Sequence, residues 1–565
     1  MSAQHGSERE AVRTIREQGR TRVLVIGGGI NGIATFRDLA MQGVDVLLVE
    51  RGDFCSGASA ASSHMIHGGI RYLENGEFRL VKESVTERNG LLKIAPHYVK
   101  PLRTTIPIYS TFSGILSAPL RFLTHRQGKP TERGALLIKV GLTLYDLFSR
   151  DGGTVPRHRF VGRKESLKDL PSLDPEVKYT ATYYDASVHD PERLALDVLR
   201  DGVAAHEGAH ALNYVEAVGM TADSVVLRDL ETGAEFTISA DVVVNASGPW
   251  TDLTNEALGE ETAFMGGTKG SHIVLDNPKL LEATGGREIF FEHSDGRIVL
   301  IYPLKGRVLV GTTDIVADPS VPARCTEEEV DYFFDLIAHV FPSIEVDRSQ
   351  IVYRFSGIRP LPHHDDTAPG FISRDYRIER RSQFGRAVLS LVGGKWTTFR
   401  ALGENLADHV LAELGRTRST STASVRIGGG VGYPRTPRRM LEWLSEHVGD
   451  DARGRVLFTR YGTRAADVAA FIAEEHDEPL LGDELSTREL AWMVEHEYVQ
   501  HVADVIFRRT SIAFTGHADA SAVATIADAL APLLDWDADR TAAEVAQTLE
   551  TLRNAHGVDV AAVTA

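Results

Sequence analysis

Thr21-Arg-Val-Leu-Val-Ile26 is a short apolar run that enters Gly27-Gly-Gly-Ile-Asn-Gly32, and beyond it a helical spacing of apolar positions continues to Met41. Val44-Asp-Val-Leu-Leu-Val49 follows, with Glu50 at its end. A strand, a glycine turn, a helix and a strand in that order predict the first unit of a parallel sheet. Helical periodicity returns over residues 76–95. Between residues 112 and 148, Leu116, Leu120, Phe122, Leu123, Leu136, Leu137, Ile138 and Leu144 are interrupted by basic and glycine positions. That pattern fits either a surface helix pair over a cavity or a membrane-facing lip. Asp190-Pro191 offers an N-cap and an N1 proline to a helix reaching about Ala205. Residues 240–246 read as a strand running into Ser247-Gly-Pro-Trp250, a small-residue turn of the kind that brings a chain back to a nucleotide loop. From 271 to 313 short alternating strands, among them 297–302 and 307–311, predict an antiparallel sheet in a second domain. After Leu411 the chain turns polar, has glycines at 428, 429, 430 and 432, and then becomes amphipathic and helical to its end. A separate helical C-terminal domain of about 130 residues is expected.

Composition narrows the class. The 565 residues, 43% hydrophobic and 25% charged, can bury at least two cores and are neither collagen-like nor disordered. The 61 basic and 78 acidic side chains leave a net charge of −17, which repels nucleic acid and gives no global attraction to anionic lipid. Cys55 and Cys325 are the only cysteines, too few for a disulfide scaffold, a four-cysteine zinc site or a protein-ligated iron–sulfur cluster. A reducing compartment is the expectation. Residues 1–22 lack the apolar core of a signal peptide, and no run approaches the roughly 20 apolar residues of a membrane span. Any membrane contact is therefore expected at the surface.

Gly27, Gly29 and Gly32 fit GxGxxG, in which the glycines allow a tight turn, backbone approach to a pyrophosphate and close helix–strand packing. Glu50, 18 residues beyond Gly32, is suited to accept hydrogen bonds from an adenosine ribose, which favours FAD or NAD over NADP. The run Ser59-Ala-Ala-Ser-Ser-His-Met-Ile-His-Gly-Gly-Ile-Arg-Tyr72 is dense in small and polar groups, and its hydroxyls, His67 and Arg71 suit an anion or a reacting hydroxyl. A solvated, capped loop is the competing reading of the same residues. Arg359, Arg374 and Lys395 stand in glycine-flanked contexts and form a second polar set. Gly393-Gly-Lys395 lacks the rest of a P-loop and is expected to turn the chain into a helix whose N–H groups face negative charge.

These stretches together resemble the FAD-dependent glycerol-3-phosphate dehydrogenase family, of the aerobic respiratory type. The resemblance rests on the glycine turn with Arg37-Asp38, Ser62-Ser-His-Met-Ile-His-Gly-Gly-Ile-Arg-Tyr-Leu73, Asn245-Ala-Ser-Gly-Pro-Trp250 and Lys269-Gly-Ser-His272. It also rests on Gly311-Thr-Thr-Asp314, Tyr353-Arg-Phe-Ser-Gly-Ile-Arg-Pro360, Ser373-Arg-Asp375 and Gly393-Gly-Lys-Trp-Thr-Thr-Phe-Arg400. It implies an α/β fold: a Rossmann-like FAD-binding domain of the glutathione-reductase and D-amino-acid-oxidase type, an antiparallel-sheet substrate domain and a helical C-terminal cap. The oxidoreductase region is expected over 21–410, with FAD-binding segments near 21–110, 185–265 and 355–410 and substrate segments between them, and the cap over 425–565.

The implied reaction is oxidation of sn-glycerol 3-phosphate to dihydroxyacetone phosphate, with hydride passing from C2 to flavin N5. A histidine suits the accompanying proton transfer, and His272 and His67 are both candidates. Arg71, Tyr72, Arg359 and Arg374 are the candidates for holding substrate, since arginine's planar fork matches phosphate. Arg374 and Lys395 are also candidates to polarise the developing alkoxide or to stabilise anionic reduced flavin, and Arg359 and Lys395 join the two histidines in the catalytic set. The cofactor set is Gly27, Gly29, Gly32, Glu50, Ser62, Ser63, His67, Gly68, Ala246, Gly248, Gly394, Lys395 and Thr397, and no metal is expected. Thr312 and Asp314 can equally be turn residues. The family's respiratory members pass electrons to membrane quinone, which implies peripheral attachment at the cytoplasmic face; a homodimer is the default assembly. A glycerol-phosphate oxidase using O2 and an FAD-dependent amine or amino-acid oxidase are the competing activities. Three positions depart from the family pattern: Ala34 where glycine is usual, His64 where lysine or arginine is common, and Phe399 where tyrosine is usual. His64 is the one expected to alter charge near the flavin.

Overall fold

The computed structural model describes residues 9–69, 78–111, 135–149, 156–293, 297–363 and 375–559, and two sheets organise them. In the first, Arg20–Ile26 lies between parallel strands Val46–Glu50 and Glu235–Asn245. Ala209–Asn213 extends one side and Arg386–Val392 the other, with Arg377–Gln383 antiparallel at the edge. Val23, Val25, Val46, Leu48 and Val244 pack under helices Ile30–Met41, Pro191–Ala205 and Phe399–Glu413. Leu24, Leu47 and Val243 pack on the opposite face against the hairpin Val215–Met220 and Val225–Asp229 and the helix Glu10–Gln18. Burial on both faces is why these strands are uninterrupted apolar runs.

The second sheet places Met265–Leu275 between the antiparallel strands Ile351–Pro362 and Arg307–Gly311, and continues through Ile298–Leu304 to Glu288–Glu292. A parallel pairing then joins Val99–Ile108, followed by Tyr179–Val188 and Met65–Ile66. Its strands alternate as a two-faced sheet requires. Ile273, Leu275, Val299, Ile301, Val308 and Val310 face the helix Glu327–Val340. Val274, Leu300, Tyr302 and Leu309 face the C-terminal helices, which run from Pro437–His447 to Ala538–His556.

The helix predicted over 76–95 is Phe78–Ile94 in the described residues. Leu116, Leu120, Phe122 and Leu123 lie outside the described residues, whereas Ala135–Ser149 is a helix whose Leu142 and Tyr145 are buried beside Val81, Val85 and Tyr183. Pro191 opens its helix and Asp190 stands at the N-cap, but the Asp190 side chain makes no capping hydrogen bond. The Asp190 carboxylate instead accepts from Lys305 Nζ at 2.5 Å and Ser511 Oγ at 3.2 Å, because an ion pair in a buried setting outweighs a single N–H donor. Among the described residues no helix is long and apolar enough to cross a membrane.

Candidate cofactor and substrate site

Ile26 delivers the chain into a turn that only glycine permits. Gly27 has φ of 112°, and a Cβ there would stand 2.6 Å from Ala246 O. A Cβ at Gly32 would meet Gly27 O at 2.0 Å, so the helix Ile30–Met41 starts directly against the turn. Gly29, its N-cap, supplies no side-chain acceptor; Ile30 N donates to Ser59 Oγ at 3.0 Å. This is the geometry that presents a helix N-terminus to an anion. Glu50 accepts from Gly28 N at 2.7 Å and Gly52 N at 2.8 Å. Burial raises the Glu50 pKa, opposed by those two N–H donors.

Two distant segments close over this loop. Ala246 N donates to Ile26 O at 2.8 Å, and Gly248, with φ of 62°, begins the short turn Gly248–Trp250. Trp396 Nε1 donates to Ser59 O at 2.9 Å, tying the 393–398 segment to the Ser59 run. Gly394 has φ of 118°, and a Cβ there would lie 2.4 Å from Asn31 Nδ2. Asn31 Oδ1 is buried with no hydrogen-bond partner among the described residues. A tight glycine cradle with a helix N-terminus and a buried amide oxygen left without a partner among the described residues fits a dinucleotide such as FAD. Lys395 is half-buried at this turn and acts electrostatically on Glu83, and Thr397 is buried ahead of the helix Phe399–Glu413.

The Ser59 run leads to the second sheet. Ser62 Oγ accepts from His64 N at 3.3 Å, and Ser63 Oγ is 2.8 Å from His272 Nε2. His67 is half-buried, and Gly68 N donates to Asp185 Oδ1 at 2.8 Å. His272 is 2% exposed and stacks on Phe355 with centroids 4.7 Å apart. Its Nδ1 has no partner among the described residues. Burial, then the Arg359 charge and His64, push the His272 pKa well below histidine's ordinary 6.5.

Among the described residues three acceptors hold Arg359: Nη1 donates to Asp314 Oδ1 at 3.1 Å, and Nη2 to Thr312 Oγ1 at 3.0 Å and Thr313 O at 2.9 Å. A Cβ on Gly270 would lie 2.1 Å from Arg359 Nη2, so the guanidinium lies across that bare position. Gly270 and His272 project from one face of the strand Met265–Leu275, which sets a cation beside an imidazole. Thr312 and Asp314, read from sequence as possible turn residues, are thus partners of Arg359. Arg71, Tyr72 and Arg374 lie outside the described residues.

The departures resolve in physical terms. Ala34 is accommodated by Gly403, since a Cβ on Gly403 would come within 2.8 Å of Ala34 Cβ in the helix pair. Phe399 is buried edge-on to Trp396, with no hydroxyl to satisfy. His64 Nδ1 donates to Val188 O at 3.0 Å, and its pKa is pushed down to about 4, chiefly by burial. It is neutral at pH 7, so this position lacks the positive charge that a lysine or arginine would carry. Sequence reasoning passed over Asn31 and Trp396, whose roles appear only when residues 31 and 394, or 59 and 396, meet.

A family model described as FAD dependent oxidoreductase matches residues 22–408, and one described as the C-terminal domain of alpha-glycerophosphate oxidase matches 420–541. The glycerol-3-phosphate dehydrogenase of Synechocystis sp. is 34% identical, covering 91% of this chain and 93% of the relative. The D-erythritol 1-phosphate dehydrogenase of Brucella abortus is 31% identical, covering 86% of this chain and 93% of the relative. A solved glycerol-3-phosphate dehydrogenase from Bacillus halodurans, complexed with FAD, shares the fold with a TM-score of 0.74 at 24% identity, over 98% of this chain and 99% of that one. The chain therefore belongs to the FAD-dependent oxidoreductases and, among them, to the glycerol-3-phosphate dehydrogenase family; it is an enzyme, and its cofactor is FAD.

Proposed function

We propose that the enzyme oxidises the C2 hydroxyl of sn-glycerol 3-phosphate to the ketone of dihydroxyacetone phosphate and passes the electrons to a membrane quinone. The observation that carries this reading is the single face on which a braced Arg359 guanidinium stands beside neutral His272. The Synechocystis relative's substrate name agrees with it. Bound FAD would accept the C2 hydride at N5, held by the glycine turn, Glu50, Ser62, Ser63 and the Gly394 segment.

The protein's own groups then have defined tasks. Arg359, with Arg71, Tyr72 and Arg374, binds the phosphate or the reacting oxygen. Its three acceptors leave the guanidinium little rotational freedom, so little entropy is lost when an anion docks. The hydroxyl proton goes to a histidine that is unprotonated at neutral pH, a state His272 meets through burial. Because His272 is covered and hydrogen-bonded to Ser63, the proton reaches it through the Ser63 hydroxyl. His67, half-buried, is the competing base. Lys395 at the Gly394 turn would offset negative charge on bound FAD. Peripheral attachment at the cytoplasmic face follows from a quinone acceptor, and a homodimer is the expected assembly.

Two specific observations favour neighbouring readings. The Brucella abortus relative points to a four-carbon polyol phosphate, and the alpha-glycerophosphate oxidase C-terminal match points to O2 as acceptor. The decisive experiment adds glycerol 3-phosphate, erythritol phosphate, glycerol or glycine to the oxidised holoenzyme without oxygen and follows flavin bleaching. A quinone analogue or O2 is admitted afterwards. Bleaching by glycerol 3-phosphate, with rapid recovery on quinone and little peroxide from O2, is expected. Bleaching by glycine alone would overturn the proposal, and stoichiometric peroxide would move the acceptor assignment to O2.

A further inference from the structure

We infer that Glu329 is a positioning residue for the substrate site: one buried carboxylate that sets Arg359 and the His272 strand in register. This rests on the reading of Arg359 as an anion-holding group. Glu329 stands in the first turn of the helix Glu327–Val340 and is 3% exposed. A capping box with Thr326 accounts for one of its contacts, Thr326 N to Glu329 Oε2 at 2.8 Å. The other three run to residues on the opposite face of the strand that carries His272, and to Thr313 beside Arg359.

Lys269 Nζ donates to Oε2 at 2.7 Å, Ser271 Oγ to Oε1 at 2.8 Å, and Thr313 Oγ1 to Oε1 at 2.6 Å. Ser271 precedes His272, and Thr313 offers the carbonyl that accepts from Arg359 Nη2. An ionised carboxylate only accepts, so the hydroxyl protons of Ser271 and Thr313 both point at Glu329. That direction leaves Thr313 Oγ1 able to accept from Ser271 N at 3.0 Å, and obliges Ser356 Oγ to donate to Ser271 Oγ across 2.7 Å. Ser356 lies three residues before Arg359 on its strand. One carboxylate thus fixes the proton directions that lock the His272 strand, the Thr312-Thr313-Asp314 turn and the Arg359 strand together. Burial would raise the Glu329 pKa, but the donors from Lys269, Thr313, Thr326 and Ser271 together hold it below the usual range, so the acceptor-only state persists at neutral pH.

In E329Q the amide N–H2 must face either Lys269 and the Thr326 N–H or the two hydroxyls. Facing the hydroxyls reverses them and shifts the turn that braces Arg359. The test uses holoenzyme of E329Q, T313V, T313S, R359K and the E329Q/R359K pair, with E327Q as a surface variant on the same helix. E329Q and T313V should each raise KM for glycerol 3-phosphate about tenfold or more. They should weaken inorganic phosphate binding, read by calorimetry on the oxidised protein, in the same proportion. T313S, which keeps the hydroxyl, should rescue most of the T313V loss, E327Q should match wild type, and the double variant should be no worse than R359K alone. An E329Q enzyme with unchanged KM and phosphate affinity, or losses additive with R359K, would overturn the inference. So would a fall in melting temperature alone. A wild-type flavin that glycerol 3-phosphate does not bleach would instead sink the substrate assignment. The phosphate calorimetry would then still decide the Glu329–Arg359 coupling, since parallel losses support it and independent ones refute it.

Discussion

Individual positions in the site are demanding for different reasons. Gly394 combines a left-handed φ of 118° with an Asn31 amide 2.4 Å from any added Cβ. Strain of about 1–3 kcal/mol at such a position would weaken FAD binding by about tenfold or more in Gly394→Ala. The flavin-to-protein absorbance ratio after gel filtration checks this. His272 is demanding through its surroundings, since burial and Arg359 depress its pKa below 6.5. With His272 as the base, the acid limb of the kcat profile should lie below pH 6.5, and His272→Asn should lower kcat by about 10²–10⁴-fold. If His67→Asn produces that loss while His272→Asn does not, the base assignment moves to His67.

Between elements, a buried ion-pair clamp ties the C-terminal region to the nucleotide loop. Asp53 is buried just beyond Glu50 and accepts from Arg509 Nη1 at 2.7 Å and Nη2 at 2.9 Å, and from Arg508 Nε at 2.5 Å. Two residues on, Cys55 N donates to Gly28 O at 2.8 Å, so the clamp reaches the glycine turn. Burial acts to raise the Asp53 pKa, but Arg509 and Arg508 hold it well below the usual carboxylate range. A depressed folded value adds stability at any pH above the unfolded value of 3.8, and that stability fades as pH falls below it. Asp53→Asn takes the carboxylate from buried Arg509, whereas Arg508 keeps its ion pair with Asp504, and a loss of about 3 kcal/mol is expected. Urea titration at neutral pH, with released flavin as a second signal, measures it. Near pH 3 the gap between wild type and variant should narrow.

Across the whole molecule, His501 connects the hairpin side of the first sheet to the last helix. Its Nδ1 donates to Glu544 at 2.8 Å and its Nε2 to Glu231 at 2.9 Å. Burial opposes the charge, but the two carboxylates prevail and push the His501 pKa up to about 10. A raised folded value means stabilisation that is complete below 6.5 and is lost as pH climbs through about 10. The wild-type melting temperature should therefore drop on going from neutral pH to above 10 by more than that of His501→Gln, and calorimetric scans at both pH values test it. The parallel strands around Val23 and Val46, the glycine turn and the alternating strands from 271 onward were legible along the chain. Each is a burial period repeated over a few neighbouring residues, and such periods are local. The motifs holding His272 and Arg359 could also be picked out, but not what those side chains do. Whether His272 carries charge depends on Phe355 and Arg359, and what braces Arg359 depends on Asp314 and Thr313. Glu329 meets Ser271 across 58 positions and Arg509 meets Asp53 across 456. Local periodicity chose the elements, whereas protonation and hydrogen-bond direction were decided by long-range packing, because desolvation and partner geometry exist only once distant segments share an interior.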